Sequence, residues 1–138
     1  MIVVDTQVIV YHFLPGQFTE LTNELFLKDP QWLTSHLWRY EFRNVIAEYI
    51  RKKLVSSINA IRIAEEAELF FLNREISAQP AKVVELIERS KCTAYDLEFV
   101  AIAEEIGAPL ITTDKEILKA FPKISYSIRD YLLEKDPT

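Results

Sequence analysis

Four carboxylates sit near points where helices begin, and those are positions from which acids can do chemistry. In "MIVVDTQVIV", Asp5 follows the apolar run Ile2, Val3 and Val4 directly. In "LITTDKEIL", Asp114 follows Leu110, Ile111 and two threonines, and apolar residues then recur at Ile117, Leu118 and Phe121 with helical spacing. In "TAYDLEFVAIAEEIG", Phe99, Val100 and Ala103 lie three, four and seven residues beyond Asp96. Asp96 therefore shares the inward face of that helix, while Glu98 and Glu105 fall on the far side. Glu41, in "HLWRYEFRNVIAEYI", borders the apolar stripe of Trp38, Phe42, Val45, Ile46 and Tyr49.

Each acid also has a plain structural reading. Asp5 suits a helix N-cap. Asp114 suits the first turn of a helix already capped by a Thr113–Glu116 box. Asp96 suits the third position of a box opened by Thr93, and Glu41 suits a solvated helix face. A carboxylate turned inward is nevertheless costly unless it is hydrogen-bonded, neutralised or bound to a cation. If all four gather at one place, they cannot all stay ionised without a cation. Hard oxygen donors with open water positions suit Mg²⁺ or Mn²⁺.

Gathering them is the task of the elements between. Hydrophobic periodicity predicts strands at 2–4, 32–34, 75–77, 110–112 and 124–127. Helices are predicted at 6–14, 18–28, 37–53, 57–73, after Pro80, at 94–106 and at 115–121, with a last helical turn. Gly107 followed by Pro109 is a helix stop. Strands alternating with helices, without Asn-Gly or Asp-Gly hairpin turns, predict one α/β domain over 1–138. The expected architecture is three layers around a mainly parallel sheet of short strands. Ligands of such sheets bind beyond the carboxyl ends of the strands, where Asp5 and Asp114 would both lie.

Composition narrows the field further. The chain has 138 residues, 49% of them hydrophobic, which is enough for one core without staples. One cysteine, Cys92, excludes an internal disulfide, and two histidines make a cysteine–histidine zinc site a poor fit. Glycine occurs only at 16 and 107, so phosphate-cradling glycine loops are absent. No apolar run has the length of a membrane helix, and a reduced cytoplasmic setting is expected. The net charge of −5 argues against holding nucleic acid by bulk electrostatics, although bound cations can give an acidic site a positive face.

In this order, "VVDTQVI", "YEFRNV", "TAYDLEFVAIAEEIG" and "LITTDKEIL" resemble the PIN-domain family of metal-dependent ribonucleases, especially the VapC-type toxins of toxin–antitoxin pairs. The resemblance spans nearly the whole chain. It implies that Asp5, Glu41, Asp96 and Asp114 form an acidic quartet holding one or two Mg²⁺ or Mn²⁺ ions. Thr6 and Thr112 match polar residues beside it, and Asn44 matches an asparagine one turn after the glutamate. Glu116 and Ile117 stand where the family's last motif commonly has an aspartate and an aromatic residue. The implied activity is cleavage of single-stranded or looped RNA by metal-activated water, neutralised by a cognate VapB-like antitoxin. Arg39, Arg43 and Lys115 adjoin the quartet in sequence and are candidate phosphate contacts.

Two further readings stay open at this level. One is a PIN-like module that binds partners without catalysis. The other is a receiver-like signalling domain, which would need paired acids after the first strand that Asp5-Thr6 does not supply. His12, within "VIVYHFL", could serve metal-free acid–base cleavage but also fits a partly buried structural role. Cys92 fits a small buried side chain. The helices predicted at 37–53 and 57–73 carry more apolar surface than one small sheet can cover, which suggests a homodimer contact or a groove for a partner peptide.

Overall fold

The side chains of β1 (Ile2–Val4) divide the protein into two cores. Ile2 and Val4 enter one and Val3 the other, as the two-residue period of a strand requires. In β2 (Trp32–Ser35), Trp32 joins the first core and Leu33 packs on the second. In β4 (Leu110–Ile111), Ile111 takes the first side and Leu110 the second. These strands are apolar on both faces because both faces are covered.

This is a computed structural model, and it describes residues 1–134. With β3 (Glu75–Ile76) and β5 (Ser125–Tyr126), the strands form one sheet in the order β3-β2-β1-β4-β5. Every pairing is parallel, so the sheet is wholly rather than mainly parallel. One layer contains α1 (Thr6–Phe13), α2 (Thr19–Lys28), α3 (Trp38–Arg51), α4 (Ser57–Phe70) and α8 (Ile128–Leu133). The other contains α5 (Pro80–Arg89), α6 (Ala94–Ile106) and α7 (Lys115–Ala120). The expected three-layer α/β/α architecture is what the chain adopts.

Chain direction across the sheet reverses at β1, which has β2 on one side and β4 on the other. The carboxyl end of β1 is therefore a topological switch point, where α/β sheets open a crevice. Asp5 is the next residue.

Two helices end earlier than periodicity suggests. α3 stops at Arg51 because Lys53 takes a left-handed conformation, φ 58°. Its N–H donates to the Ile50 carbonyl and that of Leu54 to the Tyr49 carbonyl, the paired bonds that close a helix. α4 stops at Phe70, and Asn73 adopts φ 66° shortly after. A period of 3.6 identifies which face is buried but not where the chain turns away from it.

α6 contributes more to the second core than any other element, with Leu97, Phe99, Val100, Ala101, Ile102 and Ala103 all buried. Gly107 ends it at φ 69°. A Cβ there would meet nothing within 4 Å, so any cost of adding one comes from the backbone alone. Gly107→Ala should therefore lower stability by about 1 kcal/mol in urea unfolding, with an unchanged m value. An unchanged midpoint would show that this turn carries no left-handed requirement.

Candidate active site

Asp5 unites its two sequence readings in one side chain. It is the N-cap of α1, with Oδ1 accepting the Val8 N–H at 3.2 Å. Its other oxygen, Oδ2, accepts the hydroxyl proton of Thr112. Thr112 is fully buried just past the end of β4. The same hydroxyl oxygen accepts the Asp114 N–H at 3.0 Å. One threonine thus ties the acid after β1 to the acid after β4.

Asp114 departs from expectation in a specific way. A box opened by Thr113 would leave it in the first helical turn. Instead Asp114 itself is the N-cap of α7, its Oδ1 accepting the N–H groups of Glu116 at 2.8 Å and Ile117 at 3.1 Å. Thr113 is exposed. The path out of β4 puts Asp114 rather than Thr113 at the cap, where its carboxylate oxygen takes two charge-assisted bonds.

Thr93 caps α6 and accepts the Asp96 N–H at 3.2 Å, which is half of the expected box. Burial pushes the Asp96 carboxyl above the ordinary aspartate range; the Thr93 hydroxyl opposes this and the Asp114 charge adds to it. Glu41 lies in the first turn of α3 and accepts the Thr6 hydroxyl at 2.6 Å. Its carboxyl is raised by burial, lowered by that hydrogen bond and raised by the charge of Asp96. Asp5 is raised to about 6, chiefly by burial. The Thr112 and Val8 hydrogen bonds restrain that rise, and the charges of Asp114 and Asp96 increase it. The acids thus sense one another across elements distant in sequence.

All four line a single cleft of about 580 Å³, together with Thr6 and Asn44. Thr112 lies beside it, bound to Asp5. Glu116 is exposed, stands outside the cleft wall and engages Asp114 only through its backbone N–H. The basic candidates are not gathered in: among the described residues the wall contains no lysine or arginine. Arg39 forks onto Glu75 at 2.7 and 2.8 Å, and Arg43 binds Glu68 at 2.7 Å. Lys115 is exposed at the first position of α7.

Glu75 has no sequence signal, because it lies in a two-residue strand far from its partners. Its carboxylate accepts the Trp38 indole N–H at 2.7 Å as well as the Arg39 fork. Burial would raise its pKa, but those bonds and the charges of Arg39 and His36 outweigh it and hold the group below the usual glutamate range. α3 has no side-chain N-cap. Glu75 on β3 anchors that first turn, and Glu41 is in the same turn.

The donor set fits a hard divalent cation. It consists of carboxylate oxygens whose unneutralised charges repel one another. Among the described residues, no group of three or more acidic, histidine or cysteine side chains is placed so that it could hold a metal ion by itself. Hard carboxylate oxygens suit Mg²⁺ or Mn²⁺, which keep several waters and can be held by one or two protein carboxylates. Softer or metal-free chemistry is poorly served. His12 packs edge-on against Trp32 and Phe13, bonds Thr22 at 3.1 Å and is pushed toward its neutral form by burial. Burial likewise raises the Cys92 thiol.

Residues 2–123 match the family model described as PIN domain. The chain belongs to the PIN domain family. It is similar to Ribonuclease VapC3 of Pyrobaculum aerophilum, with 28% identity over 127 residues that cover 89% of this chain and 96% of the relative. The chain also shares its fold with the crystal structure of PAE2754 from the same organism, with a TM-score of 0.73 and 22% identity, covering 95% of this chain and 92% of that one. A receiver-like domain is excluded by the family match and by the sheet, whose order differs from the 2-1-3-4-5 of that class. Among the described residues, no helix is long and apolar enough to cross a membrane.

The raised pKa of Asp5 has a definite sign in stability. Its folded value is about 6 against an ordinary 3.8. Its stabilising contribution is full below the unfolded value and is lost as pH rises through the folded one. Without divalent cations, Asp5→Asn should therefore stabilise the PIN domain at pH 7 by on the order of 1–2 kcal/mol and remove most of the gain below pH 4. Urea unfolding in EDTA at the two pH values tests this. A net loss at pH 7 would mean that the Thr112 bond outweighs the burial of the charge.

Proposed function

We propose that this PIN domain is a Mg²⁺- or Mn²⁺-dependent endoribonuclease of the VapC toxin kind, acting on single-stranded or looped RNA. The carrying observation is the convergence of Asp5, Glu41, Asp96 and Asp114 on one cleft at the switch point of the sheet. The similarity to Ribonuclease VapC3 supports the same reading.

In this reading the quartet supplies the carboxylates that hold the cation, and Thr112 and Thr6 fix the rotamers of Asp5 and Glu41. When bound, the cation lowers the pKa of water and neutralises charge on the phosphodiester. Asn44 presents an amide to the cleft, able to donate to a phosphate oxygen. None of the carboxylates needs to attack phosphorus. Water rather than the ribose 2′-hydroxyl is the nucleophile, so the products are a 5′-phosphate and a 3′-hydroxyl. The setting that suits such an activity is the cytoplasm.

A homodimer and a VapB-like antitoxin complete the proposal. α3, α4 and their connection leave Leu54, Ile58, Ile61 and Leu69 at least 59% exposed. A groove of about 1060 Å³ runs beside them between Leu14, Tyr49 and Ile63, and it suits an apolar peptide segment. Four acids gathered in one cleft at the cost of mutual repulsion argue against a non-catalytic PIN module.

Asp96→Asn separates chemistry from folding. RNA cleavage in Mn²⁺ should fall at least about 100-fold while the fold is retained, and Glu98→Gln, on the same helix outside the cleft wall, should cleave normally. Full activity in Asp96→Asn at saturating Mn²⁺ would sink the role of that residue. Unchanged activity in Asp5→Asn and Asp114→Asn as well would sink the mechanism.

Cation linkage gives a check that needs no substrate. Saturating Mn²⁺ should raise the melting temperature of the wild type above its value in EDTA, and far less in Asp5→Asn. Equal melting temperatures for the wild type, together with no heat of Mn²⁺ binding, would remove the metal site. Sedimentation at micromolar concentration should show a dimer, and a monomer there would refute that part.

A further inference from the structure

The chain has six tyrosines. Tyr11, Tyr49, Tyr126 and Tyr131 are half-buried. The two exposed ones, Tyr40 and Tyr95, are each 65% accessible, and both line the acidic cleft. Each also immediately precedes a cleft carboxylate, Tyr40 before Glu41 on α3 and Tyr95 before Asp96 on α6. Successive helical residues diverge by about 100°. A ring placed one residue before an inward acid therefore stands at the rim of the cleft rather than on its floor. The same device occurs on two helices that contribute to opposite cores.

The charges make these rings more consequential. The cleft wall has no basic side chain among the described residues, and nearby Arg39 and Arg43 are committed to Glu75 and Glu68. The Arg43 guanidinium also lies 5.8 Å from the Tyr40 ring centroid, within cation–π range, which restricts the ring. A polyanion reaching this site therefore meets no basic side chain among the described residues of the cleft wall, and Lys115 stands exposed outside it. Aromatic faces supply binding of another kind, since every nucleobase has a π-face that can stack on them. Bases within a duplex are already stacked and cannot use such a surface.

We propose that Tyr40 and Tyr95 are stacking platforms for unpaired nucleobases flanking the phosphodiester in the cleft. They thereby make the site selective for single-stranded RNA. This rests on the ribonuclease reading above. It assigns substrate capture to rings rather than to the basic residues that adjoin the acids in sequence.

The test is steady-state cleavage of a short single-stranded RNA in Mn²⁺ by the wild type and by Tyr40→Ala, Tyr95→Ala, Tyr40→Phe and Tyr95→Phe. Each alanine variant should raise KM about tenfold, with kcat changed far less, and each phenylalanine variant should restore KM. Wild-type KM should also depend only weakly on salt, because few phosphates are neutralised by protein cations. The same sequence in a duplex should be a poor substrate for the wild type. Unchanged KM in both alanine variants, or equal losses in phenylalanine and alanine, would overturn the stacking role while leaving the ribonuclease reading intact. A wild type that neither cleaves nor binds RNA in Mn²⁺ would overturn the ribonuclease reading itself, and this assignment would fall with it.

Discussion

The buried hydroxyl of Thr112 is the interaction on which the site depends. It donates to the Asp5 carboxylate and accepts the Asp114 N–H, so one side chain sets the relation between two strand ends. Parallel pairing of β1 with β4 brings those ends to the same edge, in the register Val3 with Leu110 and Val4 with Ile111. Without the hydroxyl, the largely buried Asp5 carboxylate would lose an oxygen partner. Such losses cost about 1–3 kcal/mol. The sheet supplies coarse proximity, and the threonine supplies the side-chain geometry.

The acids serve two ends at once, and the two do not compete. Asp5 and Asp114 cap helices while belonging to the cleft, and Asp96 donates its backbone N–H to a cap while its carboxylate faces Asp114. Helix N-termini favour negative charge, which partly offsets the repulsion among the carboxylates. The offset is incomplete, since Asp5, Glu41 and Asp96 are all pushed toward their protonated forms. In the proposed metal-dependent reading, a bound divalent cation would relieve this repulsion.

The basic side chains near the cleft play a supporting part. Arg39 and Arg43 adjoin Glu41 in sequence, yet both are drawn toward acids outside the cleft, Glu75 and Glu68. The bonds to Glu75 fix the start of α3, which has no side-chain cap of its own. The positive charge near Glu41 thus goes into holding the helix, and the cleft keeps its acids and its two tyrosine rings.

The sequence by itself determined the layer architecture and the order of elements, and it pointed to the four acids that line the cleft. It could do so because these depend on local period, on helix stop and start chemistry, and on motifs of a few neighbouring residues. Periodicity located α6 at 94–106 as the chain adopts it. It overran the ends of α3 and α4, where left-handed Lys53 and Asn73 stand in place of the usual glycine. Sequence could not assign the cap of α7, because Thr113 and Asp114 are both good capping residues and only the path out of β4 selects between them. Nor could it locate Glu75, find the Thr112 bridge or release Arg39 from the cleft. Those facts depend on which strand lies beside which, and side chains far apart in sequence meet only after the parallel sheet has closed.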